Sequence, residues 1–435
     1  VEGGETWGRY SIIGLPARRS FVFHGHQFEE QDCGVTISSE TLADPLAKVD
    51  ELRERYRVPK LPQLPDFSGG LVGYFGFETI AWIEPKLAAS HKLDALPVPD
   101  ALLLLSEEVA VFDNLKGRLY LIVHVDPSEP QAFAKAQHRL DELVYRLRHS
   151  GRSYPDVLHP SLLDESDFVS GFSEPEFTAA VAKAKDYIRA GDAFQVVLSQ
   201  RMSIPFKARP VDVYRALRAL NPSPYMYFLD FGGYQVVGSS PEILVRAKHG
   251  QVTVRPIAGT RPRGADAEHD AALETELLND AKECAEHLML IDLGRNDVGR
   301  VAEPSSVTVP QRFVIERYSH VMHIVSEVQG RLKDGLGFAD IFRATFPAGT
   351  VSGAPKIRAL QIIQELEPHK RHIYSGAVGY INWWGDTDTA IAIRTAVIMD
   401  GMLHVQAGAG IVYDSQPAME WQETMNKGRA LFRAV

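Results

Sequence analysis

Two pairs of glutamates, Glu283 with Glu286 and Glu420 with Glu423, lie far apart in the chain and share the spacing Glu-x-x-Glu. Each pair falls in a stretch that reads as helix, where residues three apart are neighbours on one face. Brought together, they would form a cage of hard oxygen donors suited to a divalent cation such as magnesium. One glutamate from each helix would suffice as a direct ligand, the others acting through water. For either pair alone the plainer reading is a solvated helix face, because exposed glutamate is the default. Glycine turns and arginines nearby in the sequence shift that balance. RPIAGTRPRG, from Arg255 to Gly264, sets Arg255, Arg261 and Arg263 around a Gly259-Thr260 turn whose N–H groups can face an anion. FPAGTVSGAP, from Phe346 to Pro355, and VQAGAGIV, from Val405 to Val412, add backbone that a ligand can approach closely.

The elements that must position these residues are legible as periodicities. Leu273, Leu277, Ala281, Cys284 and Leu288 recur at the spacing of one buried helical stripe, so the first pair is expected on one continuous helix, with His287 on the same flank. Asp414 and Ser415 are expected to cap the second helix, with Pro417 in its first turn. A capping box of Ser173 and Glu176 opens another helix, ending near Gly191. Strands are expected near 194–205, 225–230, 234–238, 243–247 and 252–256, several joined by tight turns. Short hairpins imply antiparallel pairing, so the fold class is α+β. Residues 1–150 form a first block, 151–167 a connector, and 168–435 a second block.

Composition excludes several functions. With 435 residues, 45% of them hydrophobic, and a net charge of −10, the chain reads as globular, with neither nucleic acid nor membrane as its partner. Its longest apolar run, around Ala101 to Leu105, is far too short to span a bilayer. Cys33 and Cys284 make neither a disulfide framework nor a zinc site, which fits a cytoplasmic location. The sequence opens on Val1 rather than methionine, so processing or an unrecorded leading segment is expected.

In order along the second block, PIAGTRPRG, KECAEHLMLIDLGRNDVGRV, SHVMHIVSEVQG, FPAGTVSGAPK and GAGIVYDSQPAMEWQETMNK resemble the chorismate-utilising enzymes, most closely the large component of anthranilate synthase. GRYSIIG, from Gly8 to Gly14, extends the resemblance into the first block. The resemblance implies large, mostly antiparallel sheets in a sandwich flanked by helices. It implies magnesium held by Glu286 and Glu423, with Glu283 and Glu420 completing the shell through water. The ring carboxylate of chorismate would meet Gly259 and Thr260. Arg394, Tyr374 and the backbone of Gly408, Ala409 and Gly410 would hold the enolpyruvyl carboxylate, with Lys427 close to the metal-bound end. Glu242 would protonate the departing ring hydroxyl, which requires its pKa to be raised. His323 and Thr350 would serve the later elimination of pyruvate, whereas His287 and His320 read as structural. LIDLGRND reads as a helix terminus with a salt-bridge network orienting the first metal helix.

Two positions choose the reaction within this resemblance. Relatives that use water carry a lysine base where this chain has Gln195, and glutamine cannot deprotonate water. Aminodeoxychorismate synthases commonly carry a lysine nucleophile where this chain has Ala258. Ammonia is therefore the expected nucleophile, and anthranilate and pyruvate the products. The alternatives are an aminodeoxychorismate synthase, an enzyme stopping at 2-amino-2-deoxyisochorismate, or a catalytically silent effector-binding subunit. Neither cysteine sits in an amidotransferase nucleophile elbow, so a separate glutaminase subunit is expected to deliver ammonia within a heterotetramer. L-Tryptophan is expected as inhibitor, at a site drawing on Ser11 and on NPSPYM, that is Asn221, Pro222, Ser223, Pro224, Tyr225 and Met226. The LLES motif that accompanies such a site is not in the sequence and is expected just before Val1.

Overall fold

The computed structural model describes residues 8–88, 92, 96–149, 167–318 and 321–435. Most of the expected connector and His320 therefore lie outside the described residues. Among those described, no helix is long and apolar enough to cross a membrane. The chain forms two compact units from interleaved stretches. One comprises 1–73, 101–162 and 380–385, the other 74–100, 163–379 and 386–435.

In the first unit Tyr10–Gly14, Glu108–Asp113 and Arg118–Val123 make an antiparallel sheet. Phe67, Val109, Val111 and Ile122 pack beneath it, as the alternation of a half-buried strand requires. Arg19–His24, Gln27–Asp32 and Val35–Thr41 form a meander beside Ala101–Ser106. Ser11 lies in this unit, opposite Phe112, and accepts a 3.3 Å hydrogen bond from the Asn114 amide.

The second unit carries the chemistry-bearing segments. One antiparallel sheet runs Tyr225–Asp230, Tyr234–Ser240, Thr395–Met399, Met402–Ile411, Gln195–Pro205 and Gly353–Ala354. Its core includes Met202, Ile204, Val237, Leu403 and Val405, packed with Leu217 and Leu431. Other strands run Ile257–Pro262, Val321–Arg331, Gln251–Val254, Ile243–Lys248 and Thr387–Ile391, with Thr308–Arg317 also on Val321–Arg331. These assignments bear out the α+β expectation. The helix opened by Ser173 spans Glu174–Arg189, and the Ser173 N–H and hydroxyl both donate to Glu176 Oε2, at 3.1 and 2.6 Å. NPSPYM does end a helix, at Leu220, and start a strand, at Tyr225.

Two expectations about the acidic helices need correction. The stripe from Leu273 to Leu288 belongs to two helices, Ala267–Asn279 and Ala281–Val301. Asp280 breaks it: extended there, its carboxylate accepts from the Lys282 and Glu283 N–H groups and so starts the second helix. Leu288 consequently faces solvent and His287 is buried. The second acidic helix spans Pro417–Phe432, and its N-cap residue is Gln416 rather than Asp414 or Ser415. The Ser415 hydroxyl instead accepts from the Val412 N–H, closing the turn before the helix.

Candidate active site

The two acidic helices meet the same pair of strands. Gln195 opens a strand antiparallel to Met402–Ile411, with Val197 opposite Gly410, Leu198 opposite Ala409 and Ser199 opposite Gly408. From there the Gln195 amide donates to Glu286 Oε1 at 3.0 Å. A Cβ on Gly410 would lie 2.7 Å from that amide nitrogen, so the missing side chain is what lets Gln195 reach across. On the other helix Lys427 pairs with Glu423 at 2.7 Å and donates to the Gly408 carbonyl at 2.9 Å. A Cβ on Gly408 would meet the Tyr374 hydroxyl at 2.8 Å. Glu286, Glu423, Tyr374, Lys427 and Gly408–Gly410 are thus linked through one stretch of sheet. The Thr395–Met399 strand pairs only as far as Val405, so the 408–410 segment carries no strand on that edge among the described residues.

The Gly259-Thr260 turn joins the same region. Gly259 has φ +68° at a register shift opposite Val321–Arg331, and a Cβ there would lie 3.2 Å from Glu283 Oε2. His323 Nδ1 sits 2.9 Å from the Gly259 carbonyl and 3.1 Å from Thr260 Oγ1. Because a carbonyl only accepts, Nδ1 carries the proton and Nε2 keeps its lone pair. Burial lowers the His323 pKa, which favours this neutral form. The three arginines expected around the turn are not free to meet a ligand, and this corrects the sequence reading. Arg255 pairs with Glu316 and Glu327, Arg261 with Glu276 and Asp280, and Arg263 with Asp270. Their charges are spent on carboxylates of the surrounding elements.

Arg394 differs from those three. It lies between the strands Thr387–Ile391 and Thr395–Met399 with φ +49°, and it makes no ion pair or side-chain hydrogen bond among the described residues. Burial lowers its pKa, while Tyr318 and Glu242 are the neighbours that favour its charge. An unpaired, largely desolvated guanidinium is a ready receptor for a carboxylate.

Glu242 follows Ser239–Ser240 at the turn into Ile243–Lys248 and is 7% exposed. Burial pushes its pKa up to about 8, against the opposing influence of the Thr350 hydroxyl, Arg394 and Lys427. Thr350 Oγ1 is buried without a hydrogen bond of full geometry, although it lies close enough to favour the Glu242 carboxylate. The site therefore contains a carboxyl group protonated near neutrality and a hydroxyl facing it.

Glu283 and Glu420, on the two acidic helices, differ from Glu242 in what surrounds them. Burial raises the pKa of Glu283, with Glu286 and Asp280 adding to the effect; burial also raises Glu420, with Glu423 adding. Lys282 acts on both Glu283 and Glu420, which places the two acidic helices within range of one charge. Like-charged, half-buried carboxylates with hard oxygen donors fit a divalent cation such as magnesium. Among the described residues, however, no three His, Cys, Asp or Glu side chains are already gathered to hold a metal. Gln195 and Lys427 each hold one of the carboxylates instead.

Over residues 16–433 the sequence matches the family described as chorismate binding enzyme. The chain belongs to that family. A member called anthranilate synthase component 1, from Pseudomonas putida, is 58% identical over 437 residues, covering 100% of this chain and 88% of the relative. The protein of the same name from Pseudomonas aeruginosa is 59% identical over 437 residues, with 100% and 89% covered. The crystal structure of anthranilate synthase component I from Streptococcus pneumoniae superposes with a TM-score of 0.86 at 40% identity, covering 99% of this chain and 93% of that one. A menaquinone-specific isochorismate synthase from Escherichia coli, at 20% identity and a TM-score of 0.71 over 99% and 95% of the two chains, shares the family's fold.

Residues that sequence reasoning missed or misplaced also surround the site. LIDLGRND is not a helix terminus: it runs through the middle of Ala281–Val301, and its Asp297 pairs with Lys356 at 3.0 Å. Arg371, 2% exposed, pairs with Glu367 and donates to the carbonyls of Val197 and Val351 and to the Ser375 hydroxyl. It thereby ties the Gln195 strand, the Thr350 turn and the neighbour of Tyr374 to one buried cation. The sequence HKRH, from His369 to His372, does not by itself mark that role: Glu367 and Ser375 lie four residues to either side, and the Val197 and Val351 partners are backbone carbonyls.

Proposed function

We propose that this chain converts chorismate and ammonia to anthranilate and pyruvate, with magnesium, as the large subunit of an anthranilate synthase. The observation that carries the reading is Glu242, a buried carboxyl with its pKa pushed up to about 8, within electrostatic reach of Arg394, which has no ion-pair partner among the described residues. Arg394, the Tyr374 hydroxyl and the backbone of Gly408, Ala409 and Gly410 hold the enolpyruvyl carboxylate. Gly259 and Thr260 meet the ring carboxylate. Glu286 and Glu423 would hold magnesium, with Glu283 and Glu420 nearby, and the ion would supply positive charge to neutralise a substrate carboxylate. Glu242 gives its proton to the ring hydroxyl as that group leaves, and ammonia attacks the ring carbon next to the carboxylated one. His323, through Nε2, then takes the ring proton as pyruvate departs, while Thr350 orients the side chain that leaves. Gln195 donates to Glu286 and has no basicity with which to activate water, and Ala258 offers no nucleophile.

Ammonia would come from a glutamine amidotransferase subunit, and the cytoplasm is the proposed compartment. A heterotetramer and tryptophan inhibition through Ser11 and the 221–226 segment complete the proposal. Incubation of the chain with chorismate, magnesium and ammonium, followed by mass spectrometry, tests the reaction. Anthranilate with equimolar pyruvate is expected; 4-amino-4-deoxychorismate, accumulated aminodeoxyisochorismate or isochorismate would overturn it.

A further inference from the structure

Behind Glu242 lies a partly enclosed cavity whose wall also includes Asp297, Arg255, Thr350, Leu290 and Leu293. It is apolar except at a few points, and two of those points are unsatisfied. Asp297, 6% exposed, leaves Oδ1 buried without a hydrogen-bond partner, and Thr350 Oγ1 is in the same condition. Buried polar atoms left in that state around a space are the usual hosts of ordered water. Glu242 and Asp297 share the wall but make no direct hydrogen bond with each other. The other oxygen of Asp297, Oδ2, accepts from Lys356 Nζ at 3.0 Å, and Lys356 keeps 12% of its side chain exposed.

We propose that this cavity is a water site that carries protons between Asp297 and Glu242, with Lys356 as its outer end. The proposal rests on Glu242 being the acid of the reaction. In each turnover the Glu242 O–H proton goes to the ring hydroxyl, which leaves as water when its C–O bond breaks. The Lys356 ammonium then gives a proton to the Asp297 carboxylate, the Asp297 carboxyl so formed gives its proton to the cavity water, and the water gives one to the Glu242 carboxylate. Lys356 recovers its proton from solvent, matched by the proton that the newly bonded nitrogen releases. Burial favours this traffic by raising the affinity of Asp297 for a proton and lowering that of Lys356. Lys356 and Arg300, with a small contribution from Asn296, oppose the effect on Asp297, and Arg394 and Lys427 face Glu242. Arg255, on the cavity wall, is paired with Glu316 and Glu327 and serves as fixed charge.

Asp297 is a positioning and relay residue, so its test must read proton delivery. In ammonia-dependent turnover, Asp297→Asn is expected to lower kcat by ~10-fold or more with the KM for chorismate unchanged. Added imidazole buffer should restore a large part of the loss in the variant and leave the unmodified enzyme unaffected. An unchanged kcat, or a loss that buffer does not relieve, overturns the relay. Glu242→Gln separates this from the functional reading: its turnover should fall by ~10²- to 10⁴-fold and stay unrelieved at every buffer concentration, and wild-type turnover by it would remove the acid assignment itself. Should Asp297→Asn fail to fold, a high-resolution crystal structure of the unmodified enzyme decides. Ordered water bonded to Asp297 Oδ1 in the cavity is expected, and a dry cavity overturns the proposal.

Discussion

Replacing Glu242 by glutamine keeps the shape of the side chain and removes its proton, so activity and stability should move in opposite directions. Burial raises the Glu242 pKa from 4.5 to about 8. At about 1.4 kcal/mol per unit, ionising this carboxyl inside the fold costs roughly 5 kcal/mol more than ionising it in the unfolded chain. Because the folded pKa lies above the unfolded one, the folded state binds the extra proton between these values. The stabilising contribution is complete below pH 4.5 and is lost as pH rises through about 8. Glutamine does not titrate, so Glu242→Gln should gain stability relative to the parent by up to ~5 kcal/mol between pH 5 and pH 9. Denaturant unfolding of the ligand-free proteins across that range measures the difference, other groups cancelling between the two chains. Turnover should fall by ~10²- to 10⁴-fold, the usual worth of a general acid. In the parent enzyme the acid form is about nine-tenths populated at pH 7 and about one-tenth at pH 9. Rates compared at equal concentrations of unprotonated ammonia should therefore fall nearly tenfold over that interval. A stability difference that stays flat with pH would show that the carboxyl is not held protonated, and the acid assignment would fail with it.

Removing the Arg394 guanidinium, which has no ion-pair partner among the described residues, by Arg394→Met should raise the KM for chorismate by ~10²-fold, about the worth of a charge-assisted carboxylate contact, while leaving unfolding free energy intact. A stability loss equal to the loss of affinity would mark Arg394 as structural. Arg371→Met should cost about 3–5 kcal/mol in denaturant unfolding, because it strands the buried Glu367 carboxylate; an unchanged midpoint would refute that reading. Glu286→Gln and Glu423→Gln should each raise the magnesium concentration needed for half-maximal turnover, and unchanged magnesium curves for both would exclude them as ligands.

How much of this was readable from residues alone depended on whether the cause was local. Helix and strand positions followed from periodicity and turn chemistry, as in the capping box of Ser173 with Glu176 and the antiparallel run from Tyr225 to Lys248. Asp280 was missed because the leucine stripe stays in phase across it; only its own carboxylate, turned onto two N–H groups, reveals the break. Arg255, Arg261 and Arg263 looked like an anion site because their partners, Glu316, Glu327, Glu276 and Asp270, are distant in sequence or lie on the next helix. Arg394 and those three are the same residue type, and only their partners separate receptor from strut.

The glutamates make the same point more sharply, since one side chain is asked to be both acid and ligand. Glu242 is enclosed by sheet and by the Thr350 turn, and desolvation outweighs the opposing Thr350, Arg394 and Lys427, so the proton stays. Burial raises the proton affinity of Glu283 and Glu420, and the second glutamate one turn away from each adds a repulsion that a cation would relieve. Lys427 is already paired with Glu423, and Gln195 donates to Glu286, so each of those two carboxylates has a partner within the fold. A divalent cation would compete with one ammonium and one amide rather than enter a finished cage. Gln195 therefore has two consequences from one amide: it withholds a base from water, and it yields its carboxylate to a metal more readily than a lysine, whose charge would have to be displaced.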